Sequence, residues 1–253
     1  MKLFLQLLIL SLFICSGTYA QNLGSAPVGE AGLFGAAQGG NPTLNLVMME
    51  IRTSATAQFG DEKILGSPYL TENFVMSQVF YNKETIGQYY VRYNALNSEI
   101  EIKETLDVEE KPKRLLADKN IRIKYQGKEL KFTTYITKKD ETKNGYLSLL
   151  MPGEKYQLYH RLAVKYAEGK SAANSMVNPI PSRFAQFVEY YYKIDGIDRI
   201  DQLPMKKGKF IKLFPSEIKE DLKLFMEENK SSLSDEKDLV KIFEFINQKT
   251  ADK

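Results

Sequence analysis

From residue 61 to residue 195, apolar and polar positions alternate with a period of two, the pattern of strands that bury one face. Ser98-Glu99-Ile100-Glu101-Ile102-Lys103 alternates cleanly, and so does Ile121-Arg122-Ile123-Lys124-Tyr125. Gly127-Lys128 then predicts a two-residue hairpin connection, with Gly where a positive φ is needed. Leu130, Phe132, Thr134 and Ile136 share one face of the next strand. Further strands are predicted over 74–81, 88–93, 145–150 and 186–194, with Asn94-Ala95-Leu96-Asn97 as a turn.

The longest alternating run is 156–166. Tyr156, Leu158, His160, Leu162, Val164 and Tyr166 fall on one side, and Gln157, Tyr159, Arg161 and Lys165 on the other. Its eleven residues, at about 3.3 Å each, span roughly 36 Å, beyond the usual strand length. Long antiparallel strands coil as they twist. The expected architecture is therefore α+β: a long-stranded antiparallel meander, a half-barrel or open barrel, followed by two C-terminal amphipathic helices.

The period becomes helical after residue 205. Pro215 suits a helix start, and Ile218, Leu222, Phe225 and Met226 follow at helical spacing. Ser234 is placed as the N-cap of a last helix, with Asp235 and Glu236 in its first turn and Leu239, Val240, Phe243 and Ile246 as its stripe. Helices are expected near 215–229 and 235–247, packed on the concave face of the sheet.

Composition changes the picture most at the N-terminus. Residues 1–20 have the form of a secretory signal peptide: Lys2, an apolar run over 3–14, and small residues before a cut between Ala20 and Gln21. The run is too short to cross a bilayer, which takes about 20 residues. Cys15 follows Ile14 rather than a small residue, so the expected product is not lipid-anchored. Residues 21–60 hold seven of the 16 glycines and only three charges, Glu30, Glu50 and Arg52. They are expected to form a flexible segment, with 44–51 as a first short element. The domain reading is thus 1–20 signal, 21–60 Gly-rich, 61–205 β domain and 206–253 helical segment. The expected location is the periplasm or the outer membrane's surroundings, or outside the cell.

The remaining chemistry is sparse. Cys15 is the only cysteine, so the processed chain would have neither disulfide nor thiol chemistry. A formal charge of +3 gives no electrostatic reason to expect nucleic acid. No later run is long and apolar enough to span a membrane. His160 is the only histidine and shares its strand face with Leu158 and Leu162, which suits a packed side chain with one hydrogen bond. Gly169-Lys170-Ser171 lacks the upstream Gly of a phosphate loop, and no G-x-S-x-G occurs. Asp195, Asp198 and Asp201 could meet a hard cation, but their spacing differs from an EF-hand loop and suits an acidic turn. No metal or cofactor is expected.

Tyrosine is abundant at 15 residues, with Tyr190, Tyr191 and Tyr192 consecutive. Alternation points Tyr191 away from its two neighbours. Tyr89, Arg92, Tyr93 and Tyr191 are accordingly the candidate partner-binding residues.

Gly66-Ser67-Pro68-Tyr69-Leu70, then Arg92-Tyr93-Asn94 and Glu99-Ile100-Glu101, resemble a pattern of uncharacterised secreted Bacteroidota proteins. The tyrosines at 190–192, Lys212-Leu213-Phe214 and Phe245-Ile246-Asn247 extend it. The resemblance covers 61–247, implies an exported β-rich protein and carries over no catalytic residue. The leading functional expectation is a non-enzymatic envelope protein that binds a protein or other envelope partner. The alternatives are a carrier of an apolar ligand in a helix-lidded half-barrel, and a hydrolase using paired carboxylates.

Overall fold

The structure, a computed structural model, describes residues 48–50, 64–174 and 176–251. By its contacts the chain divides into Met1–Gly40 and Asn41–Lys253, and every described residue belongs to the second unit. The expected signal peptide with its Ala20/Gln21 cut, Cys15 and most of the Gly-rich segment lie outside the described residues.

Alternation produces strands where it was read. These are β1 (Met48–Glu50), β2 (Val75–Tyr81), β3 (Glu84–Asn94), β4 (Glu99–Lys103), β5 (Lys113–Leu115), β6 (Ile121–Tyr125), β7 (Lys128–Ile136), β8 (Thr142–Met151), β9 (Tyr156–Ala167), β10 (Arg183–Ile194) and β11 (Ile200–Gln202). Three helices follow: α1 (Lys207–Ile211), α2 (Ser216–Glu228) and α3 (Glu236–Ala251). No described helix is long and apolar enough to cross a membrane.

The strands form one sheet in the order β1-β5-β4-β3-β2-β6-β7-β11-β10-β9-β8, and β7 also pairs with β8. All pairings are antiparallel except β7–β11, which meet in parallel at Ile136 and Asp201. The pairings of β7, β8, β9, β10 and β11 therefore close a ring, while β6 and the strands beyond it continue outward from β7. This is a half-barrel arrangement rather than a full barrel. The β6–β7 turn is Gln126-Gly127, with φ of 49° and 77°, closed by the pair Tyr125–Lys128. That is one residue earlier than expected, because Lys128 already belongs to the ladder and both central residues take positive φ.

The long β9–β10 hairpin supplies three cores. On its even face, Val164 and Phe184 join Val79, Val91, Ile100 and Ile123 under the N-terminal strands. Further along the same face, Tyr156, Leu158 and Tyr190 meet Phe210, Phe214, Leu222, Leu239 and Phe243 of the helical segment. On the odd face, Tyr191 packs with Tyr135, Leu147, Tyr159 and Ile200, one side chain from each strand of the ring. The helices consequently pack on the outer face of the ring. The concave face expected for them is occupied by these ring side chains, and β9 directs Tyr156 and Leu158 outward where the helical stripes can bury.

Candidate functional site

β7 is flanked unequally. On one side β8 accompanies it without interruption, from Leu130↔Ser148 to Ile136↔Thr142. On the other, β6 pairs with residues 128–131 and β11 touches only Ile136. Residues 132–135 have no strand on that side, so the sheet splits there. A solvent-open groove of about 1010 Å³ occupies the split. Its floor includes Leu147 and Leu149 of β8, Tyr159 of β9 and Ile200 of β11; Thr133 and Thr134 lie along its edge. Leu147, Leu149 and Tyr159 have the opposite parity to Leu158 and Tyr190, and Ile200 pairs with the odd-numbered Lys193, so groove and helices are on opposite faces.

Five cations, Lys119, Arg122, Lys131, Lys193 and Arg199, line the groove with three acids, Asp118, Glu129 and Asp198. Arg122 pairs with Glu129 at 3.2 Å and Lys193 with Asp198 at 3.5 Å. Arg199 binds Asp201 at 2.6 Å and Asp140 at 3.0 Å. Lys119 and Lys131 have no ion pair among the described residues, and neither has Asp118 beside Lys119. Beneath the floor, Glu189 accepts hydrogen bonds from Arg161 at 3.1 Å and from the Tyr191 hydroxyl at 2.9 Å. Burial first, then the Glu189 charge, push the Tyr191 phenol upward, so it stays a donor.

Of the four residues read as partner-facing, two are buried, Arg92 is engaged by Glu101, and Tyr89 is half-buried. Tyr93 and Tyr191 are 1% and 0% exposed. The side of β10 opposite Tyr190 is a second interior, not a surface, and that corrects the reading of Tyr191. Tyr93 lies in the N-terminal core with its ring edge-on to Tyr146. Tyr89 is half-buried against the same core. Arg92 binds Glu101 through Nε at 3.0 Å and Nη2 at 2.5 Å, and its guanidinium lies 3.8 Å from the Tyr69 ring centre and 4.4 Å from that of Phe74. Tyr69 also bridges to Asn94, whose Oδ1 accepts from the N–H groups of Leu96 and Asn97. The short motifs at 66–70, 92–94 and 99–101 thus meet in one cluster that fixes a corner of the sheet.

His160 is a packed side chain whose Nδ1 lies 3.0 Å from Glu236 Oε2, with Lys128 Nζ 3.1 Å from Glu236 Oε1. Ser148 sits opposite His160 in register. It completes a Ser, His, Glu sequence across the sheet, but it is fully buried, and a nucleophile has to reach its substrate. In the acidic turn, Asp201 is held by Arg199 and Asp198 points into solvent beside Lys193. The three carboxylates do not converge, and no group of three metal-ligating side chains forms among the described residues. Gly169-Lys170-Ser171 opens the β9–β10 loop, where the Gly169 N–H donates to Ser182 Oγ at 2.8 Å and no helix follows.

The groove was missed because six separate segments build it. A signal for it did exist. Asp118-Lys119-Asn120 is a turn sequence directly before a five-residue β6, whereas its partner β7 has nine residues. A hairpin with such unequal arms leaves part of the longer arm without a neighbour. Comparison with known proteins finds no matching family model, no matching curated protein and no matching solved structure.

Proposed function

We propose that this is an exported envelope protein that binds a partner in the β7 groove and performs no chemistry of its own. Export rests on residues 1–20. The groove carries the binding reading: about 1010 Å³ of open, ordered concavity with an apolar floor and charged walls, which is the make-up of a recognition cleft. A helix-lidded carrier is less well supported. The helices do not cover the groove, and their own interface is filled by Phe210, Phe214 and Phe243, with ring centres 5.1–6.3 Å apart.

The test is site-specific photocrosslinking in the native envelope. Leu149 is 41% exposed on the groove floor, and Leu224 is 56% exposed on α2. A photoreactive residue at 149 should give a discrete adduct, and one at 224 should not. An adduct at 224 alone, or at neither position, overturns the reading.

A further inference from the structure

We propose that the uncovered stretch of β7 captures an extended acidic peptide by strand addition. This rests on the groove being the binding site and names what it binds.

The backbone supplies the first argument. The tight Gln126-Gly127 turn makes Tyr125 and Lys128 a hydrogen-bonded pair, so even-numbered positions of β7 direct their N–H and C=O toward β6, and odd ones toward β8. Ile136 follows this rule in meeting β11. Thr134 lies between them, and its N–H and C=O point into the split. Residues 132–135 extend over about 13 Å, enough for a short added strand. Such an edge is a template for another chain.

Charge supplies the second. Lysines beside an open edge normally deter pairing, since they repel basic strands and leave neutral ones with a desolvation cost. Lys131 stands on the groove face next to the edge and Lys119 on the opposite wall, neither with an ion pair among the described residues. The same two charges attract a strand carrying Asp or Glu. Leu149, Tyr159 and Ile200 on the floor offer contacts to its apolar side chains.

The experiment uses the processed chain and two labelled decapeptides, one alternating Val with Glu and one alternating Val with Lys, followed by fluorescence polarisation. The Val-Glu peptide should bind and the Val-Lys peptide should not. Thr134→Pro removes the N–H that faces the split but none of the β8 ladder, so it should fold and weaken binding about tenfold or more. Thr134→Val keeps that N–H, loses the Thr134 hydroxyl bond to Asn144 Oδ1 at 2.7 Å, and should bind like the parent. Thr133→Pro removes a ladder N–H and should destabilise the fold. Parent-like binding by Thr134→Pro overturns the proposal. Should that variant not fold, the Lys119→Glu/Lys131→Glu double variant decides: preference must pass to the Val-Lys peptide, and retained Val-Glu binding overturns it. If Val-Glu does not bind while the crosslinker at 149 still captures a partner, strand addition of an acidic peptide is wrong and the groove reading stands. If both fail, both are wrong.

Discussion

Tyr190 and Tyr191 are consecutive in β10, and their rings lie in different cores. Tyr190 pairs across the sheet with His160 and joins the helical core. Tyr191 pairs with Tyr159, and its ring meets Tyr135 edge-on at 4.8 Å inside the ring of strands. The β9–β10 hairpin is thus clamped on both faces along the part that floors the groove. That is how the site can be rigid beneath while its β7 edge stays uncovered.

The helical core should behave as a fixed part of the fold. Phe243 is fully buried, 6.2 Å from the Phe214 ring and 6.3 Å from that of Phe210. Phe243→Ala is expected to cost about 3–5 kcal/mol in urea unfolding, as truncation of a packed aromatic does. A loss under about 1 kcal/mol would mean that Phe243 faces a space that relaxes or fills without it.

The Arg92–Glu101 pair should matter more than the exposed pairs. Its side chains are 18% and 5% exposed, and the guanidinium is held between Tyr69 and Phe74. Glu101→Ala leaves that cation poorly solvated and is expected to cost about 3 kcal/mol, the low end for a broken buried pair because Arg92 keeps some water. Glu104→Ala, which removes an exposed 4.0 Å contact to Lys113, should stay within about 1 kcal/mol. Equal losses from the two variants would show that burial at the corner adds nothing.

Export is tested by intact mass of the protein from its native host. The mature form should begin at Gln21 without acylation. A diacylglyceryl group on Cys15 would make it lipid-anchored, and a retained N-terminus would remove the export reading.

Strand by strand, legibility followed the strength of the alternation. The runs around Ile100, Ile123 and Leu158 were visible because one face is buried along their whole length. β5 and β11, at three residues each, are too short to show a period and exist only because β4 and β10 offer them an edge. The same applies to α1, whose five residues bury Phe210 and Ile211. Tyr191 was misplaced for a physical reason: period two tells which residues share a face, not whether the other face meets water. The groove depends on where β6 ends against β7, a matter of register between segments, and a single chain shows register only indirectly.

His160 should make the fold sensitive to acid. Burial pushes its imidazole below the usual histidine range; the bond to Glu236 pulls it upward without prevailing, and Lys128 adds to the lowering. For Glu236, burial pushes the carboxyl up, but the bonds from His160 and Lys128 outweigh it and hold the carboxyl below its ordinary value. Glu236 also lies in the first turn of α3, where an anion is favoured. With a depressed histidine pKa in the folded state, the unfolded chain takes up the proton first as pH falls. The associated stability is therefore complete above about pH 6.5 and is lost as pH falls through the folded value. Glu236 acts in the same sense below its own ordinary pKa of 4.5. The urea midpoint should accordingly fall between about pH 7.5 and about pH 5.5. Because His160 is the only histidine, its ring signals can be assigned directly by NMR. Glu236→Gln removes the partner that favours the imidazolium and should move the His160 titration to still lower pH. A midpoint that rises on acidification would show that attraction to Glu236, not burial, governs the imidazole, and a His160 titration that moves upward in Glu236→Gln would show that Glu236 does not favour the imidazolium.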